Sequence, residues 1–319
     1  MSSHTDQPTM RAVRQESLGG PEVLVVVDTP RPTPRTNEIL VRVEAASVNP
    51  TDWKHRANGG FLGEPPFVLG WDLSGVVEEV GIGVARFSPG DRVFGMLSYP
   101  FGHGAHAEYV TAPAAWFAPT PASLDHVQAG ALPLVSLTAW QALVENADIQ
   151  PGQRVLVHAA AGGVGHVAVQ IAKARGAHVI GTASSGKHDF LREIGVDEPI
   201  DYREVDWSET VRDVDAVLDT IGGDYSTRSL RTLRSGGIVV SILPVGSDDF
   251  YREADTLGVR AIRMLVDASR HDLLSISELV ERSELRATVA EVLPLDQAAE
   301  AHRLGETGRT TGKMVLTPR

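Results

Sequence analysis

One stretch decides the fold, and it reads Val155-Leu156-Val157-His158-Ala159-Ala160-Ala161-Gly162-Gly163-Val164-Gly165. It opens with apolar residues typical of a buried strand, and the glycines that follow favour a tight turn. Beyond the turn, apolar side chains recur at the i, i+3, i+4, i+7 and i+8 spacing of one helix face: Val164, Val167, Ala168, Ile171 and Ala172. The pattern therefore predicts a strand, a glycine turn and an amphipathic helix in direct succession.

The glycine spacing is typical of a turn that binds a dinucleotide. Aligned with the pattern G-x-G-x-x-G, Ala160 takes the first position, Gly162 the second and Gly165 the third. Gly162 allows the backbone to approach a pyrophosphate, and Gly165 allows the helix to pack closely against the strand. The free N–H groups at the helix start, at Gly163 and Val164, can bind phosphate oxygens. A plain strand–helix turn is the alternative, but the surrounding βα units favour a nucleotide site.

The chain around this stretch divides into two kinds of sequence. From residue 10 to about residue 128, short Val-rich runs separated by Gly and Pro predict the strands of a small barrel. After that, strands alternate with helices, which predicts a doubly wound parallel sheet. The predicted strands are Arg154–Ala159, His178–Ala183, Ala216–Thr220, Gly237–Leu243 and Val259–Val266, and the predicted helices include Val164–Arg175, His188–Ile194, Ser226–Arg234 and Asp272–Ser283. We therefore predict an α/β protein with one domain formed by residues 1–128 and 268–319 and another formed by residues 129–267.

Composition excludes several classes of function. The chain has 319 residues, of which 42% are hydrophobic and 22% are charged, so it can bury sizeable cores. Its formal charge of −12 opposes binding to nucleic acid or to anionic membranes. It has no cysteine, which excludes disulfides, thiol nucleophiles and Cys-ligated metal sites. Met1 to Thr9 predicts a mobile polar tail, and no run approaches the ~20 apolar residues of a membrane span, so we expect a cytoplasmic protein.

The end of the second predicted strand indicates which nucleotide is bound. An NAD site usually has an acid ~20 residues after the glycines, where it holds the ribose 2′-hydroxyl. This chain has instead Gly181-Thr182-Ala183-Ser184-Ser185-Gly186-Lys187, without an acid. The hydroxyls of Ser184 and Ser185 and the ammonium of Lys187 suit a 2′-phosphate, so we predict NADPH. A solvated polar loop is the alternative.

Several further stretches make the chain resemble a known family. They are Gly20–Leu24, Val48–Lys54, Gly70–Asp72, Gly104–Val110, Leu137–Trp140 and Gly312–Leu316, in addition to the glycine turn. Over the chain from Met10 to the end, they resemble the zinc-independent quinone oxidoreductase and enone oxidoreductase branch of the medium-chain dehydrogenase/reductase superfamily. The resemblance implies a GroES-like β-barrel catalytic domain interrupted by a Rossmann-type NADPH-binding domain, with the active site in the cleft between them. It also implies a homodimer, in which the strand Val259–Val266 could pair edge to edge with its copy.

The resemblance also assigns cofactor contacts to individual residues. Lys187 and Tyr202 match positions that contact the 2′-phosphate, and Arg309 is a candidate for a basic residue near the C-terminus that often joins them. Thr138 matches a position beside the cofactor. Each of the last three has a plainer alternative, namely a half-buried core aromatic for Tyr202, a surface arginine for Arg309 and an ordinary helix hydroxyl for Thr138.

The zinc alcohol dehydrogenases of the same superfamily are the main rival. The position of their ligand Cys is taken here by Asn49, and Trp71 replaces their ligand His. A catalytic zinc typically takes three protein ligands, and no such set converges in the sequence. His103 and His106 could in principle bind a metal, but core or surface histidines are the better interpretation. We therefore predict that the enzyme needs no metal.

A conjugated acceptor suits such a site better than a simple ketone, because hydride added at the β-carbon moves charge to the carbonyl oxygen. The site needs donors near that oxygen and a proton for the α-carbon. We predict Asn49 and Lys54 for these roles, with a turn-forming asparagine and a solvated lysine as the alternatives. Some quinone oxidoreductases carry Tyr where this chain has Lys54. Asp52 either caps the following turn or takes part in chemistry, and Asp72 orients its neighbours.

The predicted function is hydride transfer from NADPH to a small-molecule quinone or enone. Two other functions stay open at this point. The chain could be a non-catalytic NADPH-binding protein, as a crystallin-like or regulatory relative would be, or an enoyl reductase that acts on acyl chains in a biosynthetic pathway. Analogy of fold does not identify the acceptor.

Overall fold

The structure is a computed structural model that describes residues 8–245 and 249–318. Most of the predicted mobile tail, residues 1–7, lies outside the described residues. Thr9, the last residue of that predicted tail, is instead the first residue of a strand.

The elements of the described residues are as follows in chain order. The strands are β1 (Thr9–Gln15), β2 (Val25–Pro30), β3 (Glu38–Val48), β4 (Phe67–Val68), β5 (Asp72–Val80), β6 (Arg92–Met96), β7 (Tyr109–Pro113), β8 (Phe117–Pro119), β9 (Arg154–Val157), β10 (His178–Ala183), β11 (Glu198–Asp201), β12 (Val214–Asp219), β13 (Leu233–Ser241), β14 (Arg260–Arg263), β15 (Val289–Pro294) and β16 (Lys313–Thr317). The α-helices are α1 (Pro50–Asn58), α2 (His126–Gly130), α3 (Pro133–Trp140), α4 (Gly163–Ala174), α5 (His188–Glu193), α6 (Trp207–Thr210), α7 (Asp224–Leu230), α8 (Asp249–Leu257), α9 (Arg270–Glu281) and α10 (Ala298–Glu306).

The chain divides into two compact units. Unit 1 combines Met1–Leu134, Ala268–Ser277 and Ala287–Arg319, and unit 2 combines Val135–Asp267 and Glu278–Arg286. The predicted domains differ from these units at residues 129–134, which belong to unit 1, and at residues 278–286, which belong to unit 2. The second difference has a physical reason, because the Gln170 side chain of α4 exchanges two hydrogen bonds of 3.0 Å with the backbone of Arg286.

Unit 1 is built from two sheets. The larger has the strand order β15-β16-β3-β5-β6-β8, with β7 also paired to β3, and the smaller has the order β2-β1-β4. Strand β3 is central, and its apolar side chains pack with those of β5, β6 and β8 in one core that includes Ile39, Val41, Leu73, Val93 and Phe117. The short strands and Gly- and Pro-rich turns predicted for this region are therefore present in the structure.

Unit 2 contains the predicted parallel sheet. Its strand order is β11-β10-β9-β12-β13-β14, and every neighbouring pair is parallel. Counted from β9, this is the order 3-2-1-4-5-6 of a dinucleotide-binding fold, with β9 and β12 on either side of the point where the order reverses. The strand that the glycine turn follows is thus central in the sheet, which places the turn where such folds bind their ligands.

Candidate active site and cofactor site

The glycine turn has the geometry that its spacing predicts. Gly162 is the N-cap of α4, with an extended backbone, and Gly163 begins the helix. A Cβ at Gly165 would lie 2.3 Å from the Ala159 carbonyl oxygen and 2.7 Å from the Ala160 Cα, so the close helix–strand contact requires glycine there. The first backbone N–H groups of a helix lack intrahelical acceptors, which leaves those of Gly163 and Val164 able to bind an anion.

The predicted phosphate-binding residues follow two neighbouring strands. β10 and β11 are parallel, and their last residues, Ala183 and Asp201, are paired in register. Ser184 and Tyr202 therefore lie side by side, directly after the carboxyl ends of these two strands. The buried Asp201 carboxylate joins the two loops, because it accepts hydrogen bonds from the backbone N–H of Ser185 at 2.7 Å and of Arg203 at 2.9 Å. These hydrogen bonds hold the pKa of Asp201 below its usual value.

Two cations, Lys187 and Arg203, lie close together after these strand ends, and the sequence alone predicted only Lys187. Burial lowers the pKa of the half-buried Lys187, and the positive charge of Arg203 lowers it further. The Arg203 guanidinium also lies over the Tyr202 ring, 5.6 Å from its centre. Two like charges held together in this way favour an anion between them. Arg203 could have been predicted from its position next to Tyr202, but the strand that precedes both residues, β11, was not predicted.

Three further predicted cofactor residues are placed as follows. Tyr202 is 43% exposed, which excludes the alternative of a half-buried core aromatic. Thr138 is buried within α3. Arg309 is exposed in the turn after α10, in unit 1, where its backbone N–H donates to Thr307 Oγ1 at 3.3 Å. The cofactor contacts of Thr138 and Arg309 stay predictions.

Asn49 lies in a buried polar network in unit 1. Its Nδ2 donates to Asp72 Oδ1 at 2.8 Å and is 3.3 Å from Ser47 Oγ, and its Oδ1 accepts from the Lys313 ammonium. Asp72 in turn accepts from Ser47 Oγ at 2.7 Å and from the Leu134 N–H at 3.1 Å, as an orienting residue does. Asn49 is 1% exposed with every polar group of its side chain engaged, so we assign it a positioning role instead of the predicted direct donation to substrate.

Asp52 caps α1, which decides between the two roles left open for it. Its Oδ2 accepts from the Asn49 N–H at 2.6 Å, within a capping box at the helix start. Its Oδ1 accepts from the Gly70 N–H at 3.0 Å. Burial raises the pKa of Asp52 to about 7, with a further increase from the negative charge of Asp72. The backbone donors and the Lys313 charge oppose this increase.

The raised pKa predicts how Asp52 affects stability as the pH changes. The folded chain keeps a proton on Asp52 up to about pH 7, whereas the unfolded chain releases it near the ordinary value of 3.8. This contribution to stability is present below that ordinary value and is lost as the pH rises through the folded pKa. We expect the free energy of unfolding of the wild type to fall relative to that of Asp52→Asn by at most about 1.4 kcal/mol per pH unit in this window.

Urea unfolding of both proteins at pH 5, 6 and 8 measures this difference. Asp255→Asn is the matched control, because Asp255 is an exposed carboxylate on α8. A wild-type curve parallel to that of Asp52→Asn at all three pH values would contradict the prediction.

Lys54 lies on the other side of the same helix. The buried side of α1 carries Asp52, His55 and Arg56, whereas Lys54 is exposed. Partial burial lowers the pKa of its ammonium. Among the described residues it has no hydrogen-bond or ion-pair partner, so its protons are available to a ligand. The structure therefore does not bring Asn49 and Lys54 together as two equivalent donors.

Comparisons with known proteins identify the family. A model for the alcohol dehydrogenase GroES-like domain matches residues 35–122, and a model for zinc-binding dehydrogenases matches residues 194–316. The human quinone oxidoreductase is 31% identical over 329 residues, which cover 98% of this chain and 99% of that protein. The chain belongs to the quinone oxidoreductase branch of the medium-chain dehydrogenase/reductase superfamily. The predicted α/β architecture, a GroES-like domain and a Rossmann-type domain, is thereby confirmed.

Two other members of this wider group are similar along nearly the whole chain. A 2-haloacrylate reductase from a Burkholderia species is 35% identical over 94% of this chain and 96% of its own length. The crystal structure of Escherichia coli quinone oxidoreductase complexed with NADPH has a TM-score of 0.89 and 31% identity, and the match covers 97% of this chain and 100% of that one.

The residues of this chain do not fit the zinc ion that the description of one matching family model names. The buried Trp71 indole donates its N–H to the Pro100 carbonyl at 3.1 Å, and indole nitrogen is not a zinc ligand. The Asn49 side chain already faces the Lys313 ammonium, a cation in its own right. Burial lowers the pKa of His106 to about 4, and its Nε2 lies 3.2 Å from the Ser47 carbonyl oxygen. In the described ranges, no group of three or more His, Cys, Asp or Glu side chains could hold a metal ion.

The helices give one further observation. Over residues 8–245 and 249–318, none is long and apolar enough to cross a membrane.

Proposed function

We propose that the chain is an NADPH-dependent oxidoreductase that transfers hydride to a quinone or to the β-carbon of an α,β-unsaturated carbonyl compound. The observation that carries the proposal is a polar cluster that follows the carboxyl ends of β10 and β11 and consists of Ser184, Lys187, Tyr202 and Arg203. In the same sheet, the central strand β9 leads into the glycine turn. The E. coli relative complexed with NADPH supports the cofactor, and the relative named 2-haloacrylate reductase supports a conjugated acceptor.

The residues present fit NADPH, whose chemistry is to supply the hydride. The N–H groups of Gly163 and Val164 would hold the pyrophosphate, and Gly162 at the N-cap has no side chain to block its approach. Lys187 and Arg203 would pair with the 2′-phosphate through charge-assisted hydrogen bonds. NADH has a 2′-hydroxyl at this place, which carries no charge to pair with the two cations. This difference is the basis for preferring NADPH to NADH.

Lys54 is the residue that we propose to act on the acceptor. Its exposed ammonium can donate a hydrogen bond to a carbonyl oxygen on which negative charge develops, or pass a proton toward the α-carbon. Partial burial lowers its pKa, which makes release of the proton easier than from a fully solvated lysine. Asn49 supports this role indirectly, because it forms the start of the helix that carries Lys54.

The direct test is oxidation of NADPH, followed by absorbance, with a panel of quinones, alkenals, cyclic enones and haloacrylates. Turnover with at least one of them supports the proposal. Binding of NADPH without oxidation by any acceptor would favour the non-catalytic alternative. Strong preference for carrier-bound over free enoyl substrates would favour the biosynthetic enoyl reductase.

We expect activity to survive removal of metal ions. The reason is that the two ligand positions hold the amide of Asn49, which already accepts from the Lys313 ammonium, and the indole of Trp71, which donates to Pro100. Dialysis against a strong chelator, with metal content measured before and after, checks the prediction. A stoichiometric metal whose removal abolishes turnover would contradict it.

We expect a homodimer in the cytoplasm. β14 pairs with β13 on one side and is the last strand in the order of its sheet, so its other edge offers backbone groups to a second copy. The strand is shorter than the predicted Val259–Val266, and Leu265 beyond it is 48% exposed. Light scattering at micromolar concentration measures the mass, and a monomer at every concentration would refute the dimer.

A further inference from the structure

Lys313 is a buried lysine that the proposed mechanism has not yet used. It is the first residue of β16, which pairs antiparallel with β3 so that Met314 faces Val48. Continuing that register by one residue places Lys313 opposite Asn49. The side chain is 2% exposed, and its ammonium donates to Asn49 Oδ1 and, at 3.2 Å, to the Val48 carbonyl oxygen.

A buried ammonium is costly unless opposite charge faces it. The buried Asp72 provides that charge, and the buried Asp52 adds to it when it is ionised. Both oppose the decrease that burial causes in the pKa of Lys313. Among the described residues, His106 is a further titratable group here: the charges of Asp72 and Lys313 act on its ring, and burial lowers its pKa to about 4. Within this group of four residues, Lys313 is the cation that faces the two carboxyl groups.

Lys313 also determines which way the Asn49 amide points. An ammonium only donates hydrogen bonds, so the amide oxygen must face it. The amide nitrogen is then directed at Asp72 Oδ1, which as a carboxylate oxygen only accepts. The backbone N–H of Asn49 donates to Asp52, so Lys313, Asp72 and Asp52 fix this residue from different sides.

We propose that Lys313 is a positioning residue, whose ammonium orients Asn49 and balances Asp52 and Asp72 so that α1 begins in the geometry that hydride transfer requires. This inference rests on the proposed function, because α1 carries Lys54. Loss of the ammonium leaves the Asn49 oxygen without a donor and two buried carboxylates without a cation. Asp52 then keeps its proton to a higher pH, because the charge of Lys313 lowers its pKa in the wild type. A protonated carboxyl is a weaker acceptor for the two N–H groups that Asp52 caps.

The test compares Lys313→Met, which keeps the length and removes the charge, with Lys313→Met/Asp52→Asn, which also removes one carboxylate. Lys173→Met is the matched control, because Lys173 belongs to unit 2, where it pairs with Asp197. Turnover is measured with saturating NADPH and an accepted quinone between pH 5.5 and 9. Carbon NMR of the Asp52 carboxyl gives its pKa in the wild type, in Lys313→Met and in the control without requiring activity.

We expect Lys313→Met to lower kcat about a hundredfold at pH 7, the typical cost of a displaced catalytic group, with little change in KM for NADPH. We expect the acid limb of its pH profile and the pKa of Asp52 both to move upward by about one unit or more. The double variant has no carboxyl at position 52 to titrate, so its acid limb should no longer lie above that of the wild type.

Other results would overturn the inference. An Asp52 pKa that does not move in Lys313→Met would do so whether or not the wild type is active. A Lys313→Met enzyme with wild-type kcat and pH profile would do so while leaving the proposed function intact. If Lys313→Met does not fold, the double variant carries the test. An acid limb of its pH profile that still lies above that of the wild type would overturn the inference. A wild type inactive with every acceptor would refute the proposed function, and with it the catalytic part of this inference.

Discussion

We expect Lys187→Ala to weaken the binding of NADPH by at least about tenfold and to leave the affinity for NADH nearly unchanged. A hydrogen bond to a charged group contributes ~1.5–3 kcal/mol, and ~1.4 kcal/mol corresponds to a factor of ten in affinity. The effect is specific to NADPH because Lys187 would face the 2′-phosphate, which NADH lacks. Titration of both cofactors by fluorescence or calorimetry measures the two dissociation constants.

The neighbouring cation offers a second substitution with the same signature. Arg203→Ala should also weaken NADPH binding more than NADH binding, since Arg203 lies close enough to Lys187 for its charge to lower the pKa of that lysine. Lys173→Ala removes a lysine from the same unit outside this edge and should leave both affinities unchanged. Equal losses of NADPH and NADH affinity in Lys187→Ala would refute the 2′-phosphate site.

Lys54→Ala should reduce turnover of an accepted enone about a hundredfold or more, since loss of one donor to the developing oxyanion typically costs ~2.7–4 kcal/mol. The dissociation constant for NADPH should change little, because the proposed contact is to the acceptor. The loss should therefore appear in kcat and not in cofactor affinity. Steady-state kinetics with saturating NADPH, together with direct cofactor titration, separates the two quantities.

Lys54→Arg keeps a cation at this position and should retain more activity than Lys54→Ala. Asn58→Ala, an exposed substitution on the same helix, should be close to wild type because such changes rarely matter. Full turnover by Lys54→Ala would mean that the lysine is a solvated surface residue. The proton would then come from water or another residue, and the proposed site would shrink to cofactor binding.

Most strands of the parallel sheet could be predicted from local patterns, and β11 is the exception. The strand His178–Ala183 was predicted with the bounds that the structure gives it, and all of its residues after the first are buried. β11, with the sequence Glu198-Pro199-Ile200-Asp201, was not predicted, since Pro and acids are unusual in a strand. β11 is the edge of the sheet, where proline is tolerated because one side of the strand needs no ladder hydrogen bond.

That missed strand is also why Arg203 was missed. The local sequence indicated Ser184 and Lys187, and the family resemblance indicated Tyr202, but neither relates the two loops in space. The pairing of Ala183 with Asp201 does so, and the Asp201 carboxylate then ties the loops together. A charge cluster made from two loops requires the register of two strands, which residue spacing along the chain does not contain.

The sequence by itself determined the nucleotide turn, the absence of thiol chemistry and the segment from Asn49 to Lys54 as a place of interest, because each depends on residue types at short spacing. The tertiary structure decided what that segment does. Asn49 and Lys313 are 264 residues apart and meet only because β3 and β16 pair. That pairing buries Asn49 among fixed charges and leaves Lys54 on the exposed side of α1. Whether a polar side chain is engaged or available depends on burial and on partners distant in the chain, and only the folded arrangement specifies these.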